Sequence, residues 1–249
     1  MSIQKYYQAL SMQDRISFQA ETGLEKWRLL YKIAGIAAIT MLALIAVQIA
    51  VFILWPTPKT VLAWFQLFQS SWILGLMHLD FLYIINNTIV ALMYLAFYLS
   101  LKEKNESLML IALVCGMLAT AAYYASNPAF DMLSLSRQFS TSATDPEKAA
   151  YLGAGQVLIM QWKGTAFDVY YILSALCLII FARMMYGSAI YGKRMAAIGL
   201  VSGMLMLIPS TAGTLGLYFA LASLVPWAVF SWLAAVRFLY LGSIVYQTK

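Results

Sequence analysis

Long apolar runs constrain this sequence more than any other feature. From Ile33 to Trp55 the chain carries only two polar interruptions, Thr40 and Gln48. A helix needs about 20 mostly apolar residues to cross a hydrocarbon core of about 30 Å. The composition agrees, since 63% of the residues are hydrophobic and 10% are charged, against roughly 45–50% and about 25% in soluble domains. We therefore predict an all-α integral membrane protein.

The same criterion predicts about six transmembrane helices in a single membrane domain over 1–249, with a cytoplasmic N-terminal segment at 1–32. The predicted spans lie near 33–55, 72–101, 108–124, 167–185, 195–208 and 215–241. Prolines support several of these limits, because Pro56, Pro128 and Pro209 follow the first, third and fifth spans. Pro226 predicts a kink in the last span.

Two further segments indicate one or two interfacial helices. Val61 to Phe68 is apolar and aromatic but too short to cross, so we predict that it lies at the membrane interface. The segment 129–164 is predicted to be external and amphipathic. Within it, Asp145-Pro146-Glu147 is typical of a helix start, with Asp145 as the capping residue, and predicts a helix over about 148–162. That helix either lies on the membrane or dips into it.

The basic residues predict the orientation. With both termini in the cytoplasm, twelve of the 16 Lys and Arg residues lie on the cytoplasmic side. These are Lys5, Arg15, Lys26, Arg28, Lys32, Lys102, Lys104, Arg183, Lys193, Arg194, Arg237 and Lys249. Only Lys59, Arg137, Lys148 and Lys163 remain outside, which satisfies the positive-inside rule. Four tryptophans fall at the predicted outer boundary, where such rings settle at headgroup level: Trp55, Trp64, Trp72 and Trp162.

Ionisable side chains within spans are costly and often functional. Asp80 and Asp168 are therefore the first candidates for a ligand site, with Asp80 predicted about eight residues, or about 12 Å, deep. Tyr83 and Asn87 share the predicted helix face of Asp80. Tyr124 ends the third span on the same outer side. The secondary candidates are His78, Asn86, Gln161, Lys163 and Thr211.

These polar groups allow two interpretations. They line one outward-opening cavity, or they hydrogen-bond between helices and hold the bundle together, at about 0.6 kcal/mol each. The only histidine, His78, is predicted to lie about 200° around the helix from Asp80, so that the two side chains do not act together. Gly199 and Gly203 form a small-x-x-x-small pair that allows close helix packing, within the monomer or in a dimer.

Several classes of function lack their sequence signals. One histidine is too few for a histidine-rich zinc site or bis-histidine haem. The Asp80 and Asp168 settings lack the Gly-x-Gly-Asp pattern of intramembrane aspartyl proteases, and no G-x-S-x-G or phosphate-binding loop occurs. The scattered basic residues do not favour nucleic acid. We expect no cofactor, no metal and no enzymatic activity.

Four short motifs resemble a family of small bacterial multi-pass membrane proteins of unknown function. They are Leu79-Asp80-Phe81-Leu82, Ala154-Gly155-Gln156, Gly164-Thr165-Ala166-Phe167 and Pro209-Ser210-Thr211-Ala212-Gly213. The resemblance covers nearly the full length. It implies a location in the bacterial inner (plasma) membrane and brings no activity with it.

The sequence thus favours a non-enzymatic membrane protein whose outward-facing polar cavity binds a small molecule, lipid or ion, as a sensor or carrier does. The alternative is an accessory or structural subunit of a larger membrane complex. The expected partners are membrane lipids and, for the alternative, other membrane subunits. A membrane-embedded enzyme ranks third.

Overall fold

The computed structural model describes residues 24–243. In this range a short 3-10 helix, Leu24–Trp27, is followed by ten α-helices, and no strand occurs. The helices are α1 (Arg28–Leu54), α2 (Val61–Ser70), α3 (Trp72–His78), α4 (Phe81–Leu101), α5 (Glu106–Ser126), α6 (Ala129–Thr141), α7 (Asp145–Trp162), α8 (Thr165–Met185), α9 (Gly192–Leu205) and α10 (Gly213–Ser243).

Five stretches of the described chain are long and apolar enough to cross a membrane, judged by length and composition. They are Arg28–Leu54, Phe81–Leu101, Glu106–Thr141, Asp145–Met185 and Gly213–Ser243. The third joins α5 with α6, and the fourth joins α7 with α8. The fifth predicted span, 195–208, corresponds to α9, which has 14 residues and is shorter than the about 20 that a full crossing needs.

The predicted span over 72–101 is not one helix. The structure divides it into α3 and α4, and only α4 is a candidate span. The break falls at Asp80, whose φ of 60° interrupts the helical hydrogen bonding. Asp80 therefore lies between two helices and not within one continuous helix over 72–101, and its predicted depth in the membrane stays a prediction.

The chain divides into two compact units. Of the described residues, the first unit takes 24–42, 89–118 and 171–243, and its core is aromatic. The Phe97 ring packs against Phe181, Phe230 and Phe238, with ring centroids 4.8 to 5.5 Å apart. Edge-on and tilted ring contacts of this kind stabilise beyond the area they bury.

Two glycines bring α9 close to its neighbours in the first unit. A Cβ at Gly199 would lie 2.8 Å from the Phe230 ring of α10 and 3.2 Å from Ala182 of α8, and one at Gly203 would lie 2.7 Å from Ile179. The small-x-x-x-small pair is therefore used for packing within the monomer.

The second unit takes residues 43–88 and 119–170. Its core lies among α2, α3, α6 and α7, where Trp64, Phe65, Leu79, Met132 and Trp162 are buried. Ser136 of α6 ties this helix to α2, because its hydroxyl donates to the Phe65 carbonyl at 2.9 Å. The segment that the sequence predicted as interfacial, Val61 to Phe68, is thus a packed core element.

Other predictions for this unit need correction. The predicted amphipathic segment 129–164 contains a helix that was not predicted, α6, with 13 residues. The cap of α7 is Thr144 and not Asp145, because the Thr144 side chain accepts from the Glu147 N–H and the Glu147 side chain accepts in return. Two of the four boundary tryptophans, Trp64 at 2% exposure and Trp162 at 8%, are buried in protein, whereas Trp55 and Trp72 are exposed.

Candidate functional site

Asp80 occupies the junction between α3 and α4 in the second unit. It is the one non-glycine residue among those described with a positive φ, a conformation that Asp and Asn tolerate better than most side chains. Its N–H donates to the Met77 carbonyl, and its own carbonyl accepts from Tyr83 and Ile84 in the first turn of α4. One residue therefore ends one helix and starts the next.

Neighbouring helices hold this junction in place. The Tyr123 hydroxyl of α5 donates to the Asp80 carbonyl at 3.3 Å. The Asn127 amide donates to the Leu79 carbonyl at 2.8 Å, and its oxygen accepts from the Ala129 N–H at the start of α6. The break is thus braced by side chains and is not a random irregularity of the helix.

The Asp80 carboxyl has one hydrogen-bond donor in the described chain. The Trp162 indole N–H donates to its Oδ2 at 3.0 Å. Burial raises the pKa of Asp80 to about 7, while the Trp162 hydrogen bond and the positive charge of Lys163 act in the opposite direction. The carboxyl therefore changes its charge near neutral pH.

Lys163 supplies the nearest positive charge. Its Nζ lies 4.9 Å from the centroid of the Trp162 ring, in a cation–π contact. No Lys or Arg nitrogen of the described residues lies within 4.0 Å of the Asp80 carboxylate. Asp80 thus has a cation in its surroundings without a direct ion pair.

His78 lies in an aromatic setting two residues before Asp80. It is fully buried. The centroid of its ring lies 5.7 Å from that of Phe52 and 6.3 Å from that of Trp64. Neither ring nitrogen has a hydrogen-bond partner in the described chain, and burial lowers the pKa of His78. Trp64 in turn contacts the edge of Trp162 at 6.0 Å, so two tryptophans connect the histidine to Asp80.

The other polar candidates on α4 bond to protein. The Asn87 amide donates to the Tyr83 carbonyl of its own helix at 2.9 Å. Thr88 bonds to the Tyr124 hydroxyl at 2.7 Å. Asn86 is buried, and its side-chain oxygen has no partner in the described chain. The Thr88–Tyr124 bond joins two helices, as the helix-packing interpretation of the polar stripe predicts, whereas Asn87 bonds within its own helix.

The remaining candidates are dispersed. Gln161 donates to the Ala125 carbonyl at 3.0 Å and so joins the ends of α7 and α5. Asp168 lies in the first turn of α8. The positive end of the helix dipole stabilises an acidic side chain at this position. Thr211 belongs to the first unit, whereas Asp80 and all the other candidates belong to the second.

The sequence did not mark Trp162, whose indole contacts the Asp80 carboxyl directly, as a site residue. Trp162 is 82 positions away from Asp80 in the chain. Its position next to apolar residues led to the prediction that it lies at the outer membrane boundary. No local pattern marks such a pair, because the contact depends on how α7 packs against the α3–α4 junction.

No family model, curated protein or solved structure matches this chain. The class that the structure defines is an all-helical protein with five candidate membrane-spanning helices. The family resemblance seen in the sequence stays a prediction.

Proposed function

We propose that this chain is a non-enzymatic multi-pass protein of the bacterial plasma membrane that binds a small molecule, lipid headgroup or ion at an outward-facing site around Asp80. A sensor or a carrier uses such a site. A small cation or protonated amine is the ligand chemistry that fits best.

The observation that carries this proposal is the Asp80 carboxyl itself. It accepts a single hydrogen bond, from Trp162, although an ionised carboxylate has room for about four. The ring of Trp162 already faces one ammonium, that of Lys163. The carboxyl lies at the N–H edge of the indole and the Lys163 ammonium lies over its face. The site thus combines a carboxylate with an aromatic face, two groups that attract cations.

The charge distribution supports the predicted orientation. Of the basic residues predicted to be cytoplasmic, nine lie in the described part of the chain, and all nine belong to the first unit. They are Lys26, Arg28, Lys32, Lys102, Lys104, Arg183, Lys193, Arg194 and Arg237. The four predicted to be external, Lys59, Arg137, Lys148 and Lys163, belong to the second. This division agrees with an outward-facing Asp80.

The chain crosses the membrane six times if α9, together with the turn that follows it, forms the fifth crossing. Gly199 faces Ala182 and Gly203 faces Ala175, so α9 is antiparallel to α8. Gly199 also faces Phe230, and Gly216 faces Pro209, so α10 is antiparallel to α9. The C-terminal ends of α8 and α10 therefore point the same way, which supports a cytoplasmic C-terminus.

The alternative, an accessory subunit of a larger complex, is favoured by one face of α10. Apolar and aromatic side chains there are exposed at helical spacing. They are Tyr218, Leu221, Val225, Val229, Trp232 and Val236. Either lipid or another membrane subunit covers such a stripe.

The test is a thermal unfolding series in detergent, with wild type and Asp80→Asn titrated with monovalent and divalent cations, amines and lipids. A ligand present at 100 times its Kd stabilises the folded state by about 2.7 kcal/mol. We expect a cation or amine to raise the melting temperature of wild type and to have no effect on Asp80→Asn. Asp131→Asn, which removes an exposed carboxylate, should respond as wild type does.

Asp80→Asn keeps the backbone conformation, because Asn also tolerates a positive φ. Asp80→Leu does not, so a loss of stability in that variant would report backbone strain and not a lost charge. Equal curves for wild type and Asp80→Asn with every ligand would contradict the proposal and favour the accessory-subunit function.

A further inference from the structure

A groove lies on the first unit between the N-terminal end of α1 and the C-terminal end of α10. Its volume is about 500 Å³, within the range of sites that hold small molecules. It is lined by Lys32, Ile36, Val236, Leu239, Tyr240 and Ser243. None of these six residues is acidic.

The lining has a polar end and an apolar end. On α1, Ile36 lies one turn farther from the helix end than Lys32. On α10, Val236 and Leu239 lie farther from the helix end than Tyr240 and Ser243. The polar residues thus lie at the helix ends and the apolar residues toward the helix middles. A phospholipid has the same order, with a headgroup above an acyl chain.

Glycines fix the two walls at close distance. A Cβ at Gly35 would lie 2.6 Å from Leu239 Cγ, and a Cβ at Gly242 would lie 2.5 Å from Lys32 Cγ and 2.9 Å from the Lys32 nitrogen. The aliphatic stem of Lys32 therefore lies over Gly242. Its exposed ammonium forms no ion pair with a described residue.

A second basic side chain lies one turn earlier on the same face of α1. The Arg28 Nε is buried and has no hydrogen-bond partner in the described chain. A buried charged donor without a partner is costly, and a phosphate oxygen is a favoured acceptor for arginine. Arg28 lies one turn from Lys32, so the two side chains together provide positive charge at the end of the groove that Lys32 lines.

We infer that this groove binds an anionic phospholipid, with the phosphate at Lys32 and Arg28 and an acyl chain along Ile36, Val236 and Leu239. Basic pockets between helices at the cytoplasmic side are known to select anionic headgroups. The inference rests on the membrane location of the proposed function and not on the Asp80 site.

The experiment is native mass spectrometry of the purified full chain in detergent, titrated with phosphatidylglycerol and with phosphatidylcholine of the same acyl chains. The variants are Lys32→Gln, Arg28→Gln and the double variant. At about 1 kcal/mol per basic residue, each single variant should weaken phosphatidylglycerol binding about fivefold. Phosphatidylcholine binding should change little. Lys59→Gln, which removes an exposed charge from the second unit, should bind as wild type does.

Two further arms identify the site. Ile36→Trp fills the groove without removing charge and should reduce phosphatidylglycerol binding, whereas glycerol phosphate, which has no acyl chain, should not compete. Equal binding of the two lipids to wild type would overturn the inference. Unchanged phosphatidylglycerol binding by the double variant or by Ile36→Trp would also overturn it, because the lipid would lie elsewhere.

A separate experiment tests whether the chain is embedded in the membrane. Release of the chain from cell membranes by alkaline carbonate would contradict that location and remove the basis of both proposals. A chain that stays in the membrane but shows no lipid selectivity contradicts only the groove.

Discussion

At the residue scale, Asp80 combines a backbone role with a chemical one. Its positive φ lets α3 end and α4 begin within three residues, and its carboxyl accepts the Trp162 indole N–H. The two roles separate on substitution. Asn keeps both the conformation and an acceptor, Gly keeps only the conformation, and a large apolar residue keeps neither.

The first prediction concerns pH. Because the pKa of Asp80 rises from 3.8 to about 7 on folding, the folded chain holds more protons than the unfolded chain between these values. Asp80 therefore makes stability fall as pH rises from about 4 to about 7, with no further change above. We expect the melting temperature of wild type, relative to Asp80→Asn, to drop by on the order of 10 °C across this interval.

The measurement is a set of melting curves in one detergent from pH 4.5 to 8.5. Asp131→Asn is the control for the general effect of removing one carboxylate, and its difference from wild type should not follow the Asp80 profile. A constant difference between wild type and Asp80→Asn at all these pH values would contradict the prediction.

At the element scale, packing depends on positions where a side chain does not fit. α9 is mostly apolar on all sides, so its hydropathy does not indicate which face meets α8 and α10. Gly199 and Gly203 select that face, because only there do the helices approach closely enough to exclude a Cβ.

A pair of glycine variants tests this. Gly199→Ala places a Cβ 2.8 Å from the buried Phe230 ring, and overpacking of this kind costs about 1–3 kcal/mol. Gly153→Ala, inside α7, meets no atom within 4 Å and should stabilise by up to about 1 kcal/mol through helix propensity.

Denaturant unfolding in mixed micelles measures both variants against wild type. We expect Gly199→Ala to unfold at lower denaturant than wild type and Gly153→Ala at equal or higher denaturant. Gly199→Ala as stable as Gly153→Ala would mean that α9 does not pack on α10 as described.

At the scale of the whole molecule, the short helix α9 decides the topology. With the proposed cytoplasmic N-terminus and the other proposed crossings, the C-terminus lies on the cytoplasmic side if α9 crosses the membrane and outside if it does not. The antiparallel contacts of α8, α9 and α10 favour the first outcome, since the C-terminal ends of α8 and α10 point in the same direction.

Reporter fusions at the N-terminus, after Lys104, after Gly192 and at the C-terminus should therefore read cytoplasmic, and those near Pro58 and Ser142 should read external. Activity of an external reporter at the C-terminus, with a cytoplasmic reading after Gly192, would mean that α9 does not cross and would leave five crossings. An external reading of the N-terminal fusion would invert the whole orientation.

Sequence alone was sufficient to predict the helical class and the approximate position of each long apolar helix. Hydropathy is a local property, so a run such as 33–55 is sufficient to predict a span. Proline and acid at 145–147 were likewise sufficient to predict α7, although its start at Asp145 is three residues before the predicted one and its cap is Thr144 and not Asp145.

The construction of the site, in contrast, depends on tertiary packing. The break at Asp80, the burial of Trp64 and Trp162, and the aromatic setting of His78 all depend on α2, α3, α6 and α7 packing together. In an apolar chain nearly every helix face is compatible with burial, so hydropathy does not distinguish a tryptophan facing lipid from one facing protein. That choice depends on shape and on hydrogen-bond partners that lie far apart in the chain.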